Sequence, residues 1–593
     1  MHFKSMKKSL ALASLICLAV SGSVFANPAA PTGLQVPQLS TTEDGATLIW
    51  ERPSKTKDIY SYHVYMDGKL IANTVEDFSS EAKKEIQDYY AKDPKGQRVT
   101  NHVYRVVGLQ PGTQHTFVVK SLDKKGEESE ASNAVKVTTL GQKQGVVSIA
   151  KYGAVGDGKT DNTLAIQRAI KACPVGGTVV VPAGVYKTGA IWLKSDMTLD
   201  IQKGATLLGS ENPEMYPYHY KLYPYLSDER YYSLINCKAG QDGKRLKNIR
   251  IVGEGTIDGN GWKKGADDNY LYRAKGKNKD GTLKKNHVLN IGILAANQVK
   301  YLENNMKLDE NKAYPRRSSL LLLQDVDHVY VEGVTLRNPA NHGLIFQKCN
   351  DAVVENIKVR TYNCNNGDGI EFGHGDGLKV FNNVFDTGDD CVNFAAGQGS
   401  EGEKDKPTQN IWIFNNSFHH GHGAVVMGSH TAAYIQKMLA EDNVMDGTEI
   451  GLRMKTNNKN GGGARNIHFR NNAARNMLKN FFIATTAYSD NNAAATFPVA
   501  KKKTGFYNIL VEDCTVDGTK KPAIEIEGLK DAPHHDITFR NIKITNGAPW
   551  KITNAKNINF ENVTQKETKK DKKDKKAKSS KQSAKTASAK AAK

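Results

Sequence analysis

The sequence predicts an all-β chain: a right-handed parallel β-helix behind a smaller amino-terminal β-sandwich. Three observations carry this. Short apolar-alternating segments hinged at Asn, Asp or Gly recur from residue 249 to residue 564. Ahead of them, residues 27–140 hold short strands separated by turn residues at a different spacing. And 593 residues exceed one ordinary compact domain, so two domains or one elongated repeat domain are expected.

Residues 1–26 have the layout of a secretory signal. Lys4, Lys7 and Lys8 precede an apolar run from Leu10 to Val20, and Val24-Phe25-Ala26 ends in a small-residue cleavage pattern. No later stretch is apolar for long enough to span a bilayer, so the expectation is a soluble, exported protein, in the periplasm or the medium. Six cysteines lie outside this leader: Cys173, Cys237, Cys349, Cys364, Cys391 and Cys514. None has C-x-x-C metal spacing, and their pairing cannot be read from spacing alone.

Residues 27–140 read as a separate β domain. Its strands are "ATLIWERP", "YSYHVYMDG", "TFVVKSLDKKG" and "NAVKVTTL", with Trp50 as core anchor. Trp50-x-x-Pro53 and "GLQPGTQHTFVVKSLD" resemble a fibronectin type III domain. His115 stands where that family carries a tyrosine, which removes the tyrosine-corner hydrogen bond. A structural spacer or docking role is expected.

The second domain is expected over 147–565. "IRIVGEGTI" (249–257), "VYVEGVTL" (329–336), "AVVENIKV" (352–359), "LKVFNNVF" (378–385) and "IWIFNNSF" (411–418) share one pattern. "IHFRNNAA" (467–474), "ILVEDCTV" (509–516), "ITFRNIKI" (537–544) and "INFENVT" (558–564) continue it. Starts at 329, 352 and 378, and again at 509, 537 and 558, lie 21 to 28 residues apart. So short a unit without helical period buries its apolar face only by stacking on the next, about 4.8 Å away. Each unit is read as two strand pieces. The gaps 385–411, 427–467 and 474–509, and the long segments 205–245 and 260–316, are read as loops leaving the solenoid and lining a cleft.

The formal net charge is +20. The leader lysines and residues 566–593, with twelve Lys against Glu567, Asp571 and Asp574, hold twelve of those charges and leave about +8 on the body. So polar a tail is expected to be disordered. It either attracts polyanions or is a solvated end without a task.

Residues 386–393, "DTGDDCVN", set two carboxylates side by side, which a plain sheet gains nothing from. Asp368 precedes Asp389 by 21 and Asp390 by 22 residues, about one turn of a β-helix. His422 follows Asp390 by 32 residues, and Arg453 and Lys455 follow His422 by 31 and 33. Stacked turns would bring all six onto one face. In a flat strand Asp389 and Asp390 would point to opposite faces, so Gly388 is expected to supply a bulge that turns both outward. Any one of these residues alone reads as an ordinary turn or surface residue; three carboxylates, a histidine and two cations in register, flanked by glycines, read as a site.

"NGDG" (366–369), "GDD" (388–390), "GHG" (421–423) and "RMK" (453–455), in this order, resemble the four motifs of family 28 glycoside hydrolases, the polygalacturonases. "AVGDGKTDNTLAIQRAI" and "GTIDGNGW" extend the resemblance to roughly 147–564. It implies inverting hydrolysis of α-1,4-galacturonosyl links in polygalacturonate or an oligogalacturonide. Asp389 would be the general acid, its pKa raised by neighbouring carboxylates, with Asp368 and Asp390 activating water and His422 tuning the acid. Arg453 and Lys455 would bind a substrate carboxylate, and Asn366 and Tyr488 would contact the sugar. Gly367 replaces the usual Thr of the first motif and Met454 the centre of the last. A cysteine usual before the histidine motif is absent, with Phe418-His419-His420 in its place. Cys364 and Cys391 occupy similar places on consecutive turns and form either a bridge or a buried thiol pair.

No cofactor, metal or nucleic-acid partner is expected, and oligomeric state leaves no mark on the sequence. The long insertions favour attack at a chain end. The alternatives are an endo-acting polygalacturonase, a pectate lyase with calcium in the acidic cluster and an Arg base, and a non-catalytic polyanion-binding protein.

Overall fold

A computed structural model describes residues 28–53, 59–92, 99–239, 243–262, 293–362, 364–489 and 497–567. The expected leader and nearly all of the expected tail lie outside the described residues.

The larger domain is a coil of three parallel sheets of 13, 13 and 11 strands. Each turn passes through the first sheet, the second and then the third. The repeated segments align in register: Ile249, Val329, Ala352, Leu378, Ile411, Met438, Ile467, Ile509, Ile537 and Ile558 are successive partners along the first sheet. All are buried inside the coil except Ile558 near the carboxy-terminal end. Phe346, Phe372 and Phe394 form a similar inner column on the third sheet.

The hinge between first and second sheets explains the recurrent Asn and Asp. Asn356, Asn382, Asn415, Asp442, Asn471, Asp513, Asn541 and Asn562 adopt left-handed conformations with φ of 51–56°. Asn and Asp tolerate that region best among residues with a side chain. The next position carries a buried ladder. Asn383 donates through its backbone N–H and Nδ2 to Oδ1 of Asn416, Asn416 does the same to Asn443, and Asn443 to Asn472, all at 3.0 Å. The ladder satisfies amides that the coil interior could not otherwise hold.

Two readings of the gaps are corrected. They contain strands of the third sheet, Val392–Ala395, Leu452–Lys455 and Phe482–Thr485, too short to show alternation. The gap 427–467 also hides a whole turn, with strands Ile435–Glu441 and Val444–Asp446. At the inward positions that mostly carry Val, Ile, Leu or Phe on other turns it has Met438, Ala440 and Met445, which concealed the repeat. A unit therefore has three strands, not two. The last strand, Thr564–Glu567, ends two residues beyond the expected boundary at 565.

The amino-terminal domain packs a sheet of Thr32–Gln35, Ala46–Glu51 and Val103–Val106 against a five-stranded one. Trp50 meets Tyr62 edge-on at 5.3 Å in its core. His115 bonds Asp67 at 2.7 Å and Thr113 at 3.0 Å instead of forming a tyrosine corner. A helix, Glu81–Lys92, interrupts the β domain. The sequence reading had no helix there, although Ala82, Ile86 and Tyr89 bury one face at helical spacing.

This domain lies directly on the outer face of the first sheet. Ile49 and Val103 pack against Tyr330, Val353, Phe381 and Phe414. Arg52 Nη1 meets Asp442 Oδ1 at 2.8 Å with the carboxylate fully buried, and the Thr100 N–H donates to the same oxygen at 2.7 Å. Asp442, a hinge residue of the coil, therefore also locks the two domains together.

Segments flanking the coil enclose the third sheet. The stretch 210–234 crosses its outer face, where Tyr220 and Tyr232 cover Leu322 and Ile345. The Tyr223 hydroxyl lies 3.0 Å from Nδ1 of His430, and the Tyr225 hydroxyl accepts from the Gln398 N–H. Segment 497–502 caps the other side, with Ser400 N–H on Pro498 O and Lys502 N–H on Glu403.

Candidate active site

The site forms where the chain passes from the second sheet to the third. Asp368 lies in the turn before strand Ile370–Gly373, Asp389 and Asp390 in the turn before Val392–Ala395, and His422 in the turn before Val425–Met427. Arg453 and Lys455 project from strand Leu452–Lys455, whose Leu452 and Met454 are buried inward. The one-face alignment read from spacing is present. Its local basis differs from expectation: Asp389 and Asp390 occupy a bend between strands, not a bulge within one. Gly388 serves close approach, since a Cβ there would fall 2.0 Å from the Cys364 carbonyl oxygen one turn below. Gly421, at φ +154°, similarly leaves room for the Cys391 sulfur.

Asp390 is 1% exposed and fully engaged. Arg453 Nη1 donates to Oδ1 at 2.9 Å, while Lys455 Nζ and Asn393 Nδ2 donate to Oδ2 at 2.7 and 2.8 Å. Burial would raise its pKa, but Lys455 and Arg453 outweigh that and hold it below the usual carboxylate range. Asp389 is 18% exposed; His422 Nδ1–H donates to its Oδ1 at 2.9 Å and Asn366 Nδ2 to its Oδ2 at 3.3 Å. Its pKa is also lowered, because His422, Lys455 and Arg453 overcome burial. His422 is raised in return, chiefly by the Asp389 charge.

Asp368 differs. Burial, then the charges of Asp389, Glu371 and Asp390, push its carboxyl well above the ordinary range. The expectation that neighbouring carboxylates would raise Asp389 is corrected here. They raise Asp368, because Asp389 has the imidazole of His422 beside it and Asp368 has no equally close cation among the described residues. The three carboxyls titrate as a coupled group, with one proton favoured on Asp368 in the ligand-free protein.

Tyr488 places its ring 5.0 Å from Lys455 Nζ and 5.7 Å from the Arg453 guanidinium. Asn366 is fixed from behind by Arg317, whose Nη2 donates to its Oδ1 at 3.0 Å. Cys364 and Cys391 are buried thiols with no disulfide between them, so the pair alternative holds and the bridge does not form. Burial pushes both thiols up, so neither supplies a thiolate.

Sequence reasoning missed His342 and Glu371. Glu371, Asn393, Val426 and Arg453 are successive partners across the third sheet, and His342 Nδ1–H donates to Glu371. Only the Asp368-x-x-Glu371 spacing, matched by Asp390-x-x-Asn393 one turn on, signalled that Glu371 faces the cleft.

His342, Asp368 and Glu371, and separately Asp389, Asp390 and His422, gather metal-ligand atoms within 4.8 Å. Calcium asks for six to eight oxygen ligands. Here each triplet contains an imidazole, and both Asp390 oxygens already receive cations. The donor set fits an ion-pair network, not a calcium cage.

Residues 300–569 match Glycosyl hydrolases family 28, residues 146–213 match Rhamnogalacturonase A/epimerase, pectate lyase-like, and residues 29–138 match the Fibronectin type III domain. An exo-poly-alpha-D-galacturonosidase of Dickeya chrysanthemi is 44% identical over 577 residues, covering 93% of this chain and 94% of that protein. The structure of the Yersinia enterocolitica family 28 exopolygalacturonase superposes with a TM-score of 0.82 at 41% identity, over 91% of this chain and 98% of that one. A hyperthermoactive exopolygalacturonase from Thermotoga maritima follows at 0.57 and 25% identity, over 71% and 91%.

Proposed function

The chain belongs to glycosyl hydrolases family 28, and from that premise we propose that it is an exo-polygalacturonase, hydrolysing α-1,4-galacturonosyl links near an end of polygalacturonate with inversion. The carrying observation is the stack of Asp368, Asp389 and Asp390 on adjacent turns, beside two cations suited to a uronate carboxylate.

The chemistry follows from the charges. A galacturonate carboxylate entering at Arg453 and Lys455 shares the cations that now serve Asp390, and it excludes water. Both changes raise the proton affinity of Asp389, which the same cations hold down in the free protein. The shared proton then passes to Asp389, the most exposed of the three, and Asp368 becomes ionised. Asp389 protonates the leaving oxygen, while Asp368 and Asp390 take a proton from the attacking water. Inversion requires acid and base to flank the sugar with room for that water. His422, whose Nδ1–H donates to Oδ1 of Asp389, keeps the acid oriented.

Chain-end action is supported by segment 210–234, which covers the third sheet on the turns preceding the site. Early digests of unesterified polygalacturonate are expected to contain short galacturonides only, with slow loss of viscosity. A broad spread of oligomers, with rapid thinning, would show endo action instead. Export belongs to the same reading and rests on the layout of residues 1–26. Amino-terminal sequencing of the protein from the periplasmic fraction should begin at Asn27, and an intact Met1 would refute export.

A further inference from the structure

This inference rests on the hydrolase reading and concerns the one catalytic carboxyl without a close cation. Asp390 receives Arg453, Lys455 and Asn393, and Asp389 receives His422 and Asn366. Asp368 is buried, and among the described residues its one ion-pair contact is Nδ1 of His342, 3.5 Å from Oδ1. That separation is too long for a full hydrogen bond. The same nitrogen donates to Oε1 of Glu371 at 2.5 Å. His342 reaches the site from the segment before strand Leu344–Gln347, one turn below Glu371. Its main-chain carbonyl accepts from the Leu320 N–H, so the imidazole hangs from a fixed backbone.

We propose that His342 and Glu371 are positioning residues for Asp368: two carboxylates contest the single Nδ1 proton of His342, and Glu371 holds it in the free enzyme. Asp368 consequently keeps a proton of its own. Substrate displaces this balance without any bond to carbon, by turning the imidazole donor from Oε1 of Glu371 to Oδ1 of Asp368 as the latter ionises. The surrounding charges agree. Asp368 also faces Asp389 and Asp390, which disfavour its charge, and Lys455, which favours it. Glu371 also faces Arg230 from segment 210–234 and His430 from the segment after strand Val425–Met427. Both favour its ionised form, so Glu371 wins the imidazole. Tyr220 lies within electrostatic reach of Glu371 and stays neutral, its hydroxyl raised by burial.

The sign of the pH dependence follows. The proton that Asp368 holds in the free enzyme is the one passed to Asp389, so kcat/KM falls as pH rises through the raised value of Asp368. Glu371→Gln removes a negative neighbour and releases His342 to Asp368, which moves the alkaline limb of kcat/KM to lower pH. His342→Gln removes the Nδ1 donor that the two carboxylates contest, which moves the limb to higher pH. The two profiles are expected to separate by about 1–3 pH units, the usual effect of gaining or losing one close charge. Disruption of packing would lower kcat in both variants without opposite displacements.

The experiment is a pair of kcat/KM–pH profiles on polygalacturonate, with thermal melts to confirm folding. Shifts in the same direction, or none, overturn the proposal while leaving the hydrolase reading intact. A wild-type protein without activity overturns the parent reading instead. Should His342→Gln not fold, Glu371→Asp keeps the charge on a shorter arm and must shift the limb in the same direction as Glu371→Gln but by less. A larger or opposite shift overturns the assignment.

Discussion

Asp389→Asn lowers kcat on polygalacturonate by about 10²–10⁴-fold, the usual contribution of a positioned general acid, with KM little changed. The asparagine keeps the shape of the carboxylate and can still accept the His422 Nδ1–H through its amide oxygen, giving up only the longer contact from Asn366 Nδ2. Arg453 and Lys455 remain held by Asp390, so binding of the substrate carboxylate survives. Steady-state release of reducing sugar is the measurement. An unchanged kcat would remove Asp389 from the acid role. A raised KM at constant kcat would make it a binding residue only.

Arg52→Ala destabilises the protein by about 3–5 kcal/mol, the cost of breaking a buried ion pair from one side. Asp442 is 0% exposed and would remain buried without its main counter-charge, although the Thr100 N–H and Asn471 still donate to it. The loss is read as a lower melting temperature, or a lower denaturant midpoint for the coil and the amino-terminal domain together. A change within the range of ordinary surface substitutions would show that the domains are merely adjacent. Burial raises the pKa of Asp442, but Arg52 and His102 outweigh it and hold the folded value below the ordinary 3.8. Its contribution is thus fully present above that ordinary value and is lost as pH falls through the lower folded one. Without Arg52 the folded value rises, so acid sensitivity sets in at higher pH.

Much of the coil was legible because Asn and Asp mark the same hinge on every turn. The segment starts read from the sequence at 249, 329, 352, 378, 411, 467, 509, 537 and 558 are register partners along one column. The omission at Met438 has a plain cause: methionine and alanine pack inward as well as Ile or Val but lack the β-branched signature of a strand. The third sheet was illegible for another reason, since strands of two to four residues carry no period. Helix Glu81–Lys92 was overlooked within a domain otherwise made of strands.

The site shows the same division. Asp368, Asp389, Asp390, His422, Arg453 and Lys455 could be aligned because each sits at a fixed place on its turn. What spacing could not give was which carboxyl keeps the proton. That depends on His422 standing 2.9 Å from Asp389 while His342 is drawn towards Glu371. These are three-dimensional preferences among groups 26 to 33 residues apart, and no motif records them. Arg453 and Lys455 were read as substrate ligands alone, whereas without substrate they neutralise Asp390. Their two tasks are successive: the cations that keep Asp390 charged are those a uronate must share, which links binding to the movement of the proton.

The most direct test of this account is the anomeric form of the first product. Nuclear magnetic resonance of an early digest should show the β-anomer at the new reducing end first, with the α-anomer rising only by mutarotation. An α-anomer formed first would mean retention, and would contradict a site in which one carboxyl delivers a proton while its neighbours direct water to the opposite face of the sugar.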